Sequence, residues 1–174
     1  MSRQHERGEA ANMANMAEEM YETEDTQKGK YLTFALDSEY YGIEIKHVTE
    51  IIGVQTITEV PEMPEYIRGI INLRGKIIPV MDVRLRFKKP FRAYNDRTCV
   101  IVVDIRDVSI GLIVDQVSEV LSIPDGEIVP PPELSNVMHS YITGIGKVGN
   151  EVKLLLDCDK LLHQEDSEQL ASIG

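Results

Sequence analysis

The sequence predicts a mostly β chain, a sandwich or barrel built from two copies of one unit, with only short helices. Two observations carry that prediction. Between Tyr31 and His163, short runs rich in Val and Ile are separated by turn residues every 8 to 12 positions, the spacing of an all-β sandwich or barrel. The second is an internal repeat, visible when the chain is slid along itself. A shift of 69 sets Gly42 on Gly111, Val48 on Val117, Glu50 on Glu119, Ile51 on Val120, Ile52 on Leu121 and Pro61 on Pro130. A shift of 75 then aligns Tyr66-Ile67-Arg68-Gly69-Ile70 with Tyr141-Ile142-Thr143-Gly144-Ile145, and Asp82 with Asp157. The change of offset falls where the second half inserts Pro130-Pro131-Pro132-Glu133-Leu134-Ser135. Each copy spans roughly 65 residues and is marginal alone, since a 60-residue domain buries only about 60% of its unfolded surface. The two copies are expected to pack together, with the groove between them as the natural binding site.

In chain order, the expected strands are Tyr31 to Leu36, Tyr40 to Ile45, Gly69 to Leu73, Lys76 to Val83, Thr98 to Ile105, Ser109 to Val114, Ile142 to Ile145 and Val152 to Asp157. Asp37-Ser38-Glu39, Arg74-Gly75 and Arg106-Asp107 supply the tight connections. The segment from Val48 through Glu50 to the following aliphatics is a repeated element of unassigned type. Short helices are predicted at Pro64 to Arg68, with proline in the first turn, and at Cys158 to His163. Residues 1 to 29 contain no Val, Leu, Ile or Phe and read as a disordered acidic tail. Met13, Met16 and Met20 in that tail have helical spacing, a pattern open to partner binding. Residues 164 to 174 read as a flexible C-terminal tail.

Of the net charge of -11, about -4 belongs to the middle of the chain, because the two tails hold ten of the 29 acidic residues and three of the 18 basic ones. A pI near 4.8 with no cationic stripe argues against nucleic acid and against anionic membrane surfaces. The absence of a long apolar run or a signal-peptide pattern predicts a cytoplasmic protein without direct membrane insertion. Cys99 and Cys158 both lie in apolar runs and are expected to be buried and reduced.

Most patterns that suggest catalysis fail on context. Gly144-Ile145-Gly146-Lys147-Val148-Gly149 matches a dinucleotide-binding fingerprint, but a strand-like segment follows where a helix is required, so a glycine-rich hairpin turn is expected. His5, His47, His139 and His163 are too scattered for a metal site or a nucleophile relay. No cofactor, no metal and no enzyme activity are predicted. The segment from Pro61 to Val80, with rigid prolines, large aliphatics and two arginines, instead suits a protein partner. Arg74, just before Gly75 at a hairpin turn, is held outward where its planar fork fits a carboxylate.

From about Tyr31 to His163 the sequence closely resembles the CheW family, the coupling proteins of bacterial chemotaxis. The resemblance rests on Tyr41-Gly42-Ile43 with Val48-Thr49-Glu50-Ile51, on the spacing Pro61, Pro64, Ile67 and Gly69, and on Asn72-Leu73-Arg74-Gly75 followed by Ile77-Ile78-Pro79-Val80-Met81-Asp82. In the second half, Gly111, Ile113-Val114-Asp115 and Val117-Ser118-Glu119-Val120 continue it. It implies two SH3-like five-stranded β-barrels packed around a groove within residues 30–163. The first would cover about 30–97 and the second about 98–157, with exchange of strands between them allowed. It further implies a non-catalytic adaptor joining chemoreceptor cytoplasmic tips to the regulatory domain of the histidine kinase CheA. Carried over by position, the receptor-binding residues are Val48, Glu50, Gly69 and Arg74. The kinase-binding residues are Ile57 for one contact, and Val129 and Leu134 in the Pro-rich insertion for another. At this stage Glu50 and Arg74 are free either to match charge on a receptor or to pair with each other. Head-to-tail contacts of this kind predict weak self-association in arrays. The alternative is a module of the same fold in a kinase pathway other than chemotaxis, since fold does not fix the partner. The short remainder after His163 argues against a receiver-bearing coupling protein or a whole kinase.

Overall fold

The computed structural model describes residues 27–132 and 141–162. Among these residues, eleven strands and two one-turn α-helices run in the order β1 (Lys30–Leu36), β2 (Glu39–Glu44), β3 (Val48–Gly53), β4 (Ile67–Leu73), β5 (Lys76–Asp82), α1 (Val83–Arg86), β6 (Cys99–Ile105), β7 (Val108–Val114), β8 (Gln116–Ser122), β9 (Ile128–Val129), β10 (Ile142–Val148), β11 (Glu151–Leu156) and α2 (Cys158–Leu161). They form two sheets, one of six strands ordered β8-β1-β2-β11-β10-β9 and one of five ordered β3-β6-β7-β5-β4. The chain is mostly β, as its periodicity predicts.

The repeat maps onto these elements almost residue for residue. β1, β2 and β3 of the first copy correspond to β6, β7 and β8, and β4, β5 and α1 correspond to β10, β11 and α2. Each sheet takes its first two strands from one copy and its outer strands from the other. The β1–β2 hairpin is thus flanked by β8 and β11, and the β6–β7 hairpin by β3 and β5. The parallel joints obey the same symmetry: Leu155 pairs with Gly42 in one sheet, and Val80 with Gly111 in the other. A boundary at residues 97–98 therefore cuts through the five-stranded sheet, where β5 and β6 both lie beside β7.

The interleaving follows from which faces are apolar. Along β6, Ile101, Val103 and Ile105 point into the larger core cluster, whereas Val100 and Val102 point into the smaller one, so the strand is buried on both faces. The larger cluster lies between the sheets and combines Leu32, Phe34 and Ile43 with Ile101, Leu112 and Val114. The smaller, with Ile71, Ile78, Val80 and Ile113, fills the interior of the five-stranded barrel. Bulges recur in matching places. At β8 the Thr33 hydroxyl donates to the Glu119 carbonyl at 2.7 Å and accepts from the Glu119 N–H at 3.1 Å, satisfying groups that the register shift frees.

Asp82 and Asp157, paired by the repeat, are both helix N-caps. The Asp82 carboxylate accepts from the Leu85 N–H and the Asp157 carboxylate from the Asp159 N–H. Pro64 to Arg68 is not a helix. One turn closed by the Ile67 N–H on the Pro64 carbonyl leads directly into β4, because Tyr66 already accepts from the Asp82 N–H. The same pairing of Tyr141 with Asp157 opens β10. Cys158 is buried, with its thiol pushed up to about 12 by burial and by nearby Asp157, but Cys99 is only half-buried. The glycine-rich run is the β10–β11 hairpin expected of it, turning at Gly149 and Asn150.

Candidate functional site

Arg74 and Gly75 are the two central residues of the β4–β5 hairpin, with φ of 53° and 88°, the left-handed pair that a two-residue turn needs. The Asn72 side chain locks the turn by accepting from the Gly75 N–H at 2.8 Å. This lifts the Arg74 side chain clear of the sheet, where 70% of it is exposed. Glu50 lies on β3, at the opposite end of the five-stranded order. Even so, Arg74 Nη2 donates to Glu50 Oε2 at 2.5 Å. The barrel closes its two edges on this ion pair, and the carboxylate holds the guanidinium above its ordinary value. An adjacent surface chain runs from Lys76 Nζ to Ser109 Oγ and on to the Asp104 carboxylate, each step 2.9 Å.

Val48 and Gly69, grouped with this pair in sequence, are buried beneath the surface. Val48 joins the larger core cluster. Gly69 has a φ of 146°, and a Cβ there would stand 2.1 Å from the Thr58 carbonyl oxygen. That close approach is required by the bridge in which Thr58 and Ile70 exchange two backbone hydrogen bonds of 2.9 Å, fixing the 54–66 segment on β4. Ile57, next to that bridge, is half-buried against the smaller cluster. Val129 is half-buried on β9, at the edge of the six-stranded sheet, where it pairs with Ile145. Leu134 lies outside the described residues, as do His139, His163 and the Met13-Met16-Met20 stripe. The structure thus brings Glu50, Arg74, Gly69 and Ile57 to one barrel and places Val129 on the other sheet.

A second feature, missed in sequence, is the cationic seam where the sheets meet. Arg84, on α1, has only 8% of its side chain exposed and reaches Asp37 at 2.9 Å and Asp115 at 2.8 Å. Arg92 joins both carboxylates at 3.3 and 3.1 Å. The Arg84 guanidinium and the charges around it hold the Asp37 carboxyl below its ordinary range. Two residues on, Arg86 turns the other way. Its Nε donates to the Leu161 carbonyl, its Nη1 donates to the Tyr141 hydroxyl, and its guanidinium lies over the Tyr66 and Tyr141 rings. The sequence signal was Val83-Arg84-Leu85-Arg86, cations inside an otherwise apolar run after a capping aspartate.

The sequence and fold that hold these side chains have relatives among known proteins. The CheW-like domain family model matches residues 30–166. The chain belongs to the CheW family. It is similar to the chemotaxis protein CheW of Klebsiella aerogenes, 38% identical over 143 residues that span 82% of this chain and 86% of the relative. The chemotaxis protein CheW of Bacillus subtilis is 33% identical over 140 residues, 80% of this chain and 90% of that one. Among solved structures, the scaffolding protein TtCheW from Thermoanaerobacter tengcongensis superposes with a TM-score of 0.74 at 38% identity. The match covers 79% of this chain and 94% of that one. The two-barrel SH3-like architecture is thereby the family's. Among the described residues no helix is long and apolar enough to cross a membrane.

Proposed function

We propose that this CheW-family chain is a non-catalytic cytoplasmic chemotaxis adaptor that couples chemoreceptor tips to the regulatory domain of the CheA histidine kinase. The observation that carries the reading is the family match over residues 30–166, shared with relatives named as chemotaxis proteins. The receptor-facing surface is centred on the Glu50–Arg74 pair. An exposed ion pair between partially screened side chains holds its members in place at little energy and is readily re-partnered, so a receptor carboxylate can compete for the Arg74 fork. Ile77, 39% exposed at the start of β5 beside the same turn, supplies apolar area next to the charges. Val48 and Gly69 act from below, by fixing β3 and the Thr58 bridge. The kinase contacts are assigned to Ile57 on the first barrel, to Val129 on the edge strand β9 of the six-stranded sheet, and to Leu134. Edge strands such as β9 offer backbone groups for pairing.

The test is ATP turnover by the cognate CheA kinase with receptor-containing membranes, with and without this protein. Strong activation only when all three are present is expected. Arg74→Glu, which sets two carboxylates against each other, is expected to lower that activation while leaving unfolding within about 0.5 kcal/mol of the parent. No activation by the folded parent protein overturns the assignment.

A further inference from the structure

Arg86 is a buried cation without a counter-ion among the described residues. Only 5% of the residue is exposed, and its polar partners are a backbone carbonyl and a phenol, with two aromatic rings across its faces. Its Nη2 has no hydrogen-bond partner among the described residues. Arg84, two positions earlier on the same short helix, is by contrast matched by two carboxylates. A guanidinium withdrawn from water strongly favours a nearby anion, because the low local dielectric magnifies the attraction.

Arg86 also lines a cleft of about 180 Å³ at the seam between the two sheets. Phe87, Lys88 and Lys89 form the wall that follows it in sequence. Glu39 and Tyr41 of β2 close one side, and Tyr141 with Ile142 at the start of β10 closes the other. Glu39 is already engaged, accepting from the Tyr41 hydroxyl at 2.5 Å and pairing with Lys89 at 3.2 Å. That leaves Arg86 and the exposed Lys88 as the charges facing an occupant, against walls made mainly of aromatic rings. Lys88 is held at the rim by a left-handed backbone, φ 61°, at the C-terminal turn of α1.

We propose that this cleft binds a carboxylate carried on a small apolar body, with the acid group neutralising Arg86 and Lys88 and the body stacked among Tyr41, Phe87 and Tyr141. Size sets the class. A cavity of about 150 Å³ holds benzene, whereas drug-sized and nucleotide sites run from about 300 Å³ upward, so an aryl or short aliphatic acid fits and a nucleotide does not. The site is separate from the Glu50–Arg74 surface and does not depend on the adaptor reading. It would let a metabolite-sized acid brace the joint between the two barrels.

The test is calorimetric titration of the full chain with benzoate, with benzamide as the uncharged isostere and N-acetylglutamate N-methylamide as the protein-borne form of the acid. Saturable binding of an acid is expected, weakened about tenfold in benzamide and about tenfold by Lys88→Glu at an unchanged melting temperature. Arg86→Met is expected to abolish it, and Lys88→Glu keeps the test decisive if that variant fails to fold. Tighter binding of benzoate supports a free small acid, and tighter binding of the glutamate analogue supports an acidic side chain from a protein. No saturation by either acid, benzamide equal to benzoate, or unaltered affinity in Lys88→Glu overturns the proposal.

Discussion

Gly69 carries more structural constraint than its size suggests. Its φ of 146° belongs to a region that L side chains rarely adopt, and the missing Cβ is the space the Thr58 carbonyl occupies. Gly69→Ala is therefore expected to cost about 2–4 kcal/mol, from backbone strain and a displaced Thr58–Ile70 bridge, read as a lowered urea midpoint. Any loss of partner binding in that variant would track the displaced 54–66 segment. Glu39 gives a pH prediction of definite sign. The hydrogen bond from Tyr41, and then Lys89, hold its carboxyl below the ordinary value despite partial burial. A depressed carboxyl contributes stability that is complete above the unfolded value, near pH 4.5, and that is lost as pH falls through the folded value. Glu39→Gln should flatten the melting temperature against pH as pH falls below about 4.5. A profile parallel to the parent's would mean that Tyr41 and Lys89 do not favour the ionised form.

At the scale of elements, α1 works as a two-sided clamp. Residues two apart on a helix do not share a face, so a single turn delivers Arg84 to the β1–β2 corner and Arg86 to Tyr141 and Leu161 of the second copy. Arg84→Met is expected to destabilise by about 1–3 kcal/mol in denaturant. That is less than the loss of a fully buried pair, because Asp37 is 40% exposed and Arg92 remains 3.1 Å from Asp115. An unchanged midpoint would mean that Arg92 alone satisfies both aspartates. The same scale explains what the sequence made legible. Strands buried on at least one full face announce themselves as Val/Ile runs, and eight were placed within a few residues. β3, β8 and β9 stayed unassigned: β3 and β8 lie at the ends of their sheets and keep polar residues such as Glu50 and Glu119 among their aliphatics, and β9 has only two residues. Arg74 was recognisable as an outward turn residue from Arg-Gly alone. Its partner Glu50 lies 24 residues away, and only the closure of the barrel decides that the two meet. The Arg86 cleft was hidden for the same reason, since its walls come from β2, α1 and the start of β10.

For the molecule as a whole, the exchange of strands between copies dictates how it must fold. Residues 27–97 contain β1 to β5, yet the β1–β2 hairpin lacks its neighbours β8 and β11, β3 lacks its partner β6, and β5 lacks its partner β7. The larger core cluster is divided in the same way, with Leu32 and Phe34 facing Ile101 and Leu112 across the cut. Neither half can complete a sheet, so the two barrels are expected to unfold together rather than in sequence. Far-UV circular dichroism and tyrosine fluorescence should then report one coincident transition in denaturant, the tyrosine signal being clean because the chain has no tryptophan. A fragment of residues 27–97 expressed alone is expected to lack a cooperative transition, and mixing it with residues 98–162 should restore one. Two separated transitions in the intact chain, or a cooperatively folded 27–97 fragment, would mean that strand exchange contributes little and that each copy is a domain in its own right.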